Sequence, residues 1–129
     1  MLLGKFNLPM RVDVGKNKTF TLNLNQYRNA HYFILNKAKQ TFQDEVTKTL
    51  SLEPTDKIEI HYKVFPKTKA LSDISNYCSI VDKFFSDTLV HCGIIPDDNY
   101  NHLPKVVYEF GGIDPINPRV EALIYKIES

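Results

Sequence analysis

The sequence is poor in cysteine, lacks tryptophan and contains no long apolar run. Its two cysteines, Cys78 and Cys92, exclude a disulfide scaffold and a four-cysteine zinc site, and they favour a reduced, cytoplasmic setting. No run of about 18 apolar residues is present, so neither a membrane-spanning helix nor a membrane partner is expected. The apolar stretch at the N-terminus is too short for a secretory signal. A net charge of only +1 excludes a strongly basic, histone-like DNA-binding protein.

The residues that are present suit one compact domain over residues 1–129, since 43% of them are hydrophobic and 24% are charged. Charge is unevenly distributed. Residues 1–64 carry ten Lys or Arg and six Asp or Glu, whereas residues 65–129 carry six and nine. Five of the later acids are aspartates that occur close together: Asp73, Asp82, Asp87, Asp97 and Asp98. Aspartates suit hard cations such as Mg²⁺, but they serve equally well as helix caps and solvated helix faces.

Apolar periodicity predicts an α/β (α+β) fold in which two helices lie on one face of a small mixed sheet. Strands are expected over Lys18–Asn23, Lys57–Phe65, Lys105–Phe110 and Arg119–Ile127, and helices over His31–Leu50 and Ile74–Cys92. Asp73 is the expected N-cap of the second helix. The polar segment Asn25–Ala30 is expected to be a loop, and GGIDPINP a hairpin-like connection between the last two strands. The predicted order is β-α-β-α-β-β, with room for a further N-terminal strand.

The acidic residues around the second helix form an ordered pattern. Asp73-Ile74-Ser75-Asn76 begins it, Lys83 and Asp87-Thr88-Leu89 lie within it, and Gly93-Ile94-Ile95-Pro96-Asp97-Asp98 follows it. This pattern resembles the RusA family of crossover-junction endodeoxyribonucleases, over roughly residues 57–127. The resemblance implies a dimeric enzyme of DNA recombination and repair that resolves four-way (Holliday) junctions with Mg²⁺, or with Mn²⁺ as a possible substitute. A phage or prophage origin would fit the family.

The resemblance also assigns roles to individual residues. Asp73 and Asp98 match metal-binding aspartates of the family, with Asp97 beside Asp98, and Asn76 matches the family's asparagine. Ser75 stands where the family has a second aspartate. The candidate replacement metal ligands are Asp97 and Asp82, and Asp82 lies two helical turns beyond Ser75. The chain has about four more residues than the family between Asn76 and Asp87. Depending on where this extra turn lies, either Lys83 or Ser79 takes the place of the catalytic lysine, and the chemistry favours Lys83 because it needs a cation.

DNA contacts are expected from basic residues near these aspartates. The candidates are Asn76 and the basic residues Arg28, His31, Lys37, Lys39, Lys63, Lys67 and Lys69, because cationic and polar side chains bind phosphates. Lys67 and Lys69 flank Thr68 just before Asp73, although a solvated loop explains them as well. Tyr27 and Tyr32 are candidates either for probing a junction or for supporting the start of the first helix.

Three functions remain open on the sequence alone. The first is a RusA-like, metal-dependent endonuclease, which predicts that carboxylates from both ends of the second helix converge within reach of one metal ion. The second is a catalytically impaired DNA-binding or interaction protein, which predicts that they stay apart. The third is a nuclease of other branched DNA, such as flaps or replication forks, and the sequence does not separate it from the first.

Overall fold

The computed structural model describes residues 1–128, which form a mixed α+β fold. Within them lie six strands and three helices: β1 (Leu2–Leu8), β2 (Arg11–Gly15), β3 (Lys18–Thr21), α1 (Leu24–Asn29), α2 (Tyr32–Thr47), β4 (Ile58–Phe65), α3 (Ile74–His91), β5 (Lys105–Phe110) and β6 (Arg119–Lys126). The fold class predicted from periodicity is therefore confirmed. No helix in this part of the chain is long and apolar enough to cross a membrane.

Four strands form the main sheet in the order β1-β6-β4-β5, and β2 pairs with β3 in a separate hairpin. β5 runs parallel to β4, whereas β6 runs antiparallel to both β4 and β1. The predicted hairpin between β5 and β6 is therefore wrong, because β4 lies between them. The burial pattern explains this order: β4 and β6 each bury alternate side chains and suit the interior, whereas β5 is mostly exposed and suits an edge.

The predicted loop Asn25–Ala30 is wrong as well, because it contains the short helix α1. Its N-cap is Asn23, whose side-chain oxygen accepts a hydrogen bond from the Gln26 amide at 2.8 Å. The Leu24 amide also donates to Asn76 Oδ1 at 3.1 Å. These two acceptors satisfy amides that a short helix leaves without intrahelical partners, so a polar, turn-rich segment becomes helical.

Helix α3 occupies the centre of the core because two adjacent aromatic residues point in different directions. The Phe85 ring lies against the main sheet, 6.3 Å from the ring of Tyr62 on β4. The Phe84 ring faces the other elements, with ring centroids 6.2 Å from Phe20 on β3 and 5.6 Å from Phe42 on α2. α2 therefore packs on α3 and on the β2–β3 hairpin, and α3 is the helix that covers the main sheet.

Truncation of the Phe84 side chain is expected to destabilise the fold strongly. Phe84→Ala removes a ring shared by the hairpin, α1 and α2, and should lower the free energy of unfolding by about 3–5 kcal/mol. Phe33→Ala is the matched control: its side chain is 65% exposed, so the change should stay within about 0.5 kcal/mol. Urea unfolding followed by circular dichroism measures both, and equal effects would contradict this description of the core.

Candidate functional site

Asp73 lies at the N-terminus of α3 as the sequence predicts, but its side chain does not cap the helix. The carboxylate is exposed and lines a shallow groove together with Arg28 of α1, Ser75 and Asn76. Asp73 is thus available for a ligand, and the predicted DNA-binding residue Arg28 lines the same groove. This is where the structure brings two of the sequence-predicted site residues together.

Asn76 has a structural role in this groove. Its Oδ1 accepts the hydrogen bond from the Leu24 amide at 3.1 Å, and its Nδ2 donates to Ser72 Oγ at 3.1 Å. Asn76 therefore holds α1 and the preceding loop against the start of α3. These bonds use one of the two hydrogens of Nδ2 and one of the two lone pairs of Oδ1, so Asn76 shapes the groove and keeps capacity for one further contact at each atom.

Asp97 and Asp98 lie beyond the other end of α3. Gly93 adopts a left-handed φ of +72° after the helix, and the buried Ile94 and Ile95 turn the chain back over α3. The Asp98 amide donates to Asp97 Oδ1 at 2.8 Å. Partial desolvation, a hydrogen bond with the Asp97 carboxyl group and repulsion from Asp87 together raise the pKa of Asp98 above its ordinary value. Three carboxyl groups are therefore crowded at this end of the helix.

The two acidic groups do not meet within one chain. α3 has 18 residues and is therefore about 27 Å long, and Asp98 folds back only far enough to interact with Asp87. Among the described residues no group of three or more His, Cys, Asp or Glu side chains is arranged to hold a metal ion. Asp73 thus lies apart from Asp97 and Asp98, and the convergence expected of a nuclease is absent from the single chain.

Asp82, a candidate replacement ligand, points toward the sheet, where both of its carboxylate oxygens accept hydrogen bonds. Its Oδ1 accepts hydrogen bonds from the Tyr62 hydroxyl at 2.9 Å and from Ser86 at 3.0 Å, and its Oδ2 accepts one from Tyr108 at 2.9 Å. Burial and the Asp82 charge raise the pKa of both tyrosines. Because both oxygens bind hydroxyl groups from β4, β5 and α3 itself, Asp82 fixes the helix on the sheet and does not face Asp73.

Lys83 lies on the solvent side of α3, in a row with residues spaced four apart. We call this row the exposed stripe of α3; it consists of Ser75, Ser79, Lys83, Asp87 and His91. The Lys83 ammonium group is 5.9 Å from the centroid of the Tyr27 ring, a cation–π contact that orients it toward α1. Ser79, the other candidate for the lysine's place, donates its hydroxyl to the Ser75 carbonyl.

The remaining predicted DNA-binding residues lie on different surfaces. Lys67 and Lys69 are exposed in the loop before α3, and Lys67 lines a second, larger groove of about 620 Å³ together with Arg11 and Arg119. His31 is exposed at the N-cap of α2 and stacks with Tyr32 and Phe33. The sequence reasoning missed Phe33, although three consecutive aromatic rings just before a helix were a visible signal.

Both cysteines are free thiols in the structure. Cys78 is buried in the core, and burial with the nearby Asp82 charge raises the pKa of its thiol to about 12. Such a thiol is protonated and unreactive at neutral pH. Cys92 is half-buried against Thr47.

No protein-family model matches this chain, and no curated protein matches it. The RusA resemblance therefore stays a prediction that depends on the motif residues themselves. The exposure of Asp73, Lys83 and Asp98 and the crowding at Asp98 are the structural observations that bear on it.

Replacement of Asp82 separates a structural role from metal binding. Asp82→Asn offers one acceptor oxygen where three hydroxyl donors now bind, and it should lower the free energy of unfolding by about 1–3 kcal/mol. Asp87→Asn, an exposed carboxylate on the same helix, should cause no loss. Chemical unfolding of both variants measures the difference. An Asp82→Asn protein of unchanged stability would contradict the assignment.

Mg²⁺ is expected to stabilise the wild-type protein by relieving repulsion at Asp97 and Asp98. With a dissociation constant near 1 mM, about 10 mM Mg²⁺ adds about 1.4 kcal/mol, which a thermal melt detects. Asp98→Asn should lose this response. In EDTA at pH 7, Asp98→Asn should also be more stable than wild type. The pKa of Asp98 is higher in the folded protein than in the unfolded chain, so ionisation of Asp98 destabilises the fold once the pH exceeds the ordinary carboxyl pKa.

The difference between the two proteins in EDTA should vanish in acid, where Asp98 is protonated in the folded and unfolded states alike. Sodium chloride at matched ionic strength is the control for general screening. An equal response to Mg²⁺ in wild type and Asp98→Asn would exclude this carboxylate as a ligand.

Proposed function

We propose that this chain is a RusA-like, Mg²⁺-dependent endonuclease that cuts four-way DNA junctions by phosphodiester hydrolysis. The observation that carries the proposal is the pair of exposed aspartates, Asp97 and Asp98, at the end of the family-like motif, where the Asp98 amide donates to Asp97 Oδ1 at 2.8 Å. Asn99 Nδ2 donates to Asp97 Oδ2 at 3.1 Å, and a cation bound at the pair would relieve the repulsion that contributes to the raised pKa of Asp98. A cytoplasmic setting belongs to the same proposal.

The donor chemistry at Asp97 and Asp98 fits Mg²⁺. Mg²⁺ in phosphoryl-transfer sites is commonly bound through one or two carboxylates, with water and substrate phosphate completing its octahedral shell. When bound, it would activate a water molecule and offset charge on the leaving oxygen. The resemblance gives Lys83 the role of stabilising the developing negative charge on the phosphate. Its ammonium group is exposed, but Lys83 lies eight residues before the end of α3, about 12 Å along the helix axis from the end that Asp97 and Asp98 follow.

A second copy of the chain would bring Asp73 into the site. Ser75 near the start of α3 and Asp87 and His91 near its end are exposed. Two copies of α3 paired antiparallel about a twofold axis would set the start of each helix beside the end of the other. Asp73 of one copy would then join Asp98 of the other, and the dimer would carry two equivalent sites for a junction of twofold character.

A second candidate function is DNA binding without catalysis. Two observations favour it: Ser75 replaces the family's second aspartate, and Asp82 does not compensate because its oxygens bind Tyr62, Ser86 and Tyr108. This candidate needs no convergence of carboxylates. It predicts junction binding in Mg²⁺ and in Mn²⁺ with no cleavage in either.

Mixing two inactive variants tests the enzyme and the composite site together. Asp73→Asn and Asp98→Asn should each abolish cleavage of a labelled synthetic junction in Mg²⁺. Co-refolded as a mixture, they should regain nicking at about a quarter of the wild-type rate, because half of the dimers are mixed and each mixed dimer has one intact site. Asp44→Asn, an exposed carboxylate on α2, is the control for the substitution itself.

Each outcome has a distinct meaning. Sites formed within one chain would give no recovery, because every site in a mixed dimer would then carry one lesion. Wild-type protein that binds the junction but cuts in neither Mg²⁺ nor Mn²⁺ would reject the enzyme and leave the second candidate.

A further inference from the structure

Three consecutive aromatic rings are exposed at the N-terminus of α2. We call His31, Tyr32 and Phe33 the aromatic patch. Tyr32 is 60% exposed and Phe33 65% exposed, and their ring centroids are 4.2 Å apart. The His31 ring lies 4.6 Å from Tyr32 and 5.1 Å from Phe33. Apolar side chains of this size normally enter the core, so their exposure as a group indicates a binding surface.

The patch is held in place by the helix that follows it. His31 is the N-cap of α2, and its Nδ1 accepts a hydrogen bond from the Phe33 amide at 3.3 Å. The Leu35 amide donates to the His31 carbonyl at 3.0 Å, which continues the first turn. The rings are therefore ordered without contributing to the core, and a planar ligand would find them already arranged.

The charge around the patch favours a polyanion. Residues 14–43 contain five Lys or Arg and no Asp or Glu. Lys37 lies one helical turn after Phe33, and Arg28 lies on α1 just before the patch; both are exposed. Flat rings flanked by cations are the two components with which proteins bind single-stranded nucleic acid: bases stack on the rings and phosphates pair with the cations.

We infer that the aromatic patch binds unpaired bases of single-stranded DNA, with Arg28 and Lys37 contacting the adjoining phosphates. A protein partner is the less favoured occupant, because an aromatic protein interface does not require the excess of Lys and Arg over Asp and Glu that residues 14–43 show. Arg28 also lines the groove that contains Asp73, so a strand leaving that groove along α1 would reach the patch. This last step rests on the proposed function, and it would extend the substrates to junctions, flaps or forks that carry a single-stranded arm.

Binding of a fluorescently labelled oligothymidine of about 20 nucleotides tests the inference. Anisotropy titrations are made in EDTA, so that no cleavage occurs. The double variant Tyr32→Ala/Phe33→Ala should bind about 10- to 100-fold more weakly than wild type, because each lost ring removes a stacked base. Tyr32→Phe should retain wild-type affinity, since stacking needs the ring and not the hydroxyl.

Tyr100→Ala is the matched control, because this side chain is 81% exposed but lies outside the patch. Its affinity should stay within about twofold of wild type. At protein concentrations that saturate the oligonucleotide, a 2-aminopurine in the oligothymidine should be quenched by wild type and little by the double variant, because quenching of the bound base requires a stacked ring. Unfolding curves verify that the variants are folded.

Three results would overturn the inference: no measurable affinity of the wild type for oligothymidine, equal affinity of wild type and the double variant, or self-association that the double variant abolishes. The last would make the patch an interface between protein chains. Failure here is distinguishable from failure of the proposed function, since single-strand binding is measured without Mg²⁺ and junction cleavage is measured separately.

Discussion

Burial of one face of α3 against the main sheet is the constraint on which the arrangement of all candidate site residues depends. Phe85 packs against the sheet, and Phe84 packs against the hairpin and α2. Only the remaining side of α3 can therefore face solvent. The hydrogen bonds of Asp82 with Tyr62 and Tyr108 fix the rotation of the helix about its axis. Lys83 must therefore be exposed, and Asp73 lies apart from Asp98, which reaches back along the helix only as far as Asp87.

Local patterns predicted most of the regular structure because burial imposes a period on the sequence. The alternation in β4 and the apolar face of α3 placed both elements to within a residue or two. α1 was missed because its stability depends on a contact between Leu24 and Asn76, which are 52 positions apart. The hairpin expected between β5 and β6 was wrong because nothing in the segment 111–118 signals that it passes over β4.

The sequence predicted which residues of the candidate site are exposed, but not which of them lie close together. Asp73, Lys83 and Asp98 are exposed, as a site requires, and helix length alone separates the two ends. Asp82 lies two turns beyond Ser75, which on sequence places it near the same face, yet the sheet turns its carboxylate inward. A rotation of a few tens of degrees about the helix axis decides whether a carboxylate such as Asp82 faces a metal site or accepts hydrogen bonds from the sheet. The spacing of residues in the sequence does not resolve so small a rotation.

The position of β6 in the sheet has a kinetic consequence. This strand comes last among the elements, yet it lies between β1 and β4 and pairs with both. A nascent chain on the ribosome that has not yet released residues 119–126 therefore presents β1 and β4 with open edges. Contacts between residues 2–8 and 119–126 also give the fold a high contact order, which slows folding. Chaperone protection during synthesis matters most in that interval, when strand edges can pair between molecules.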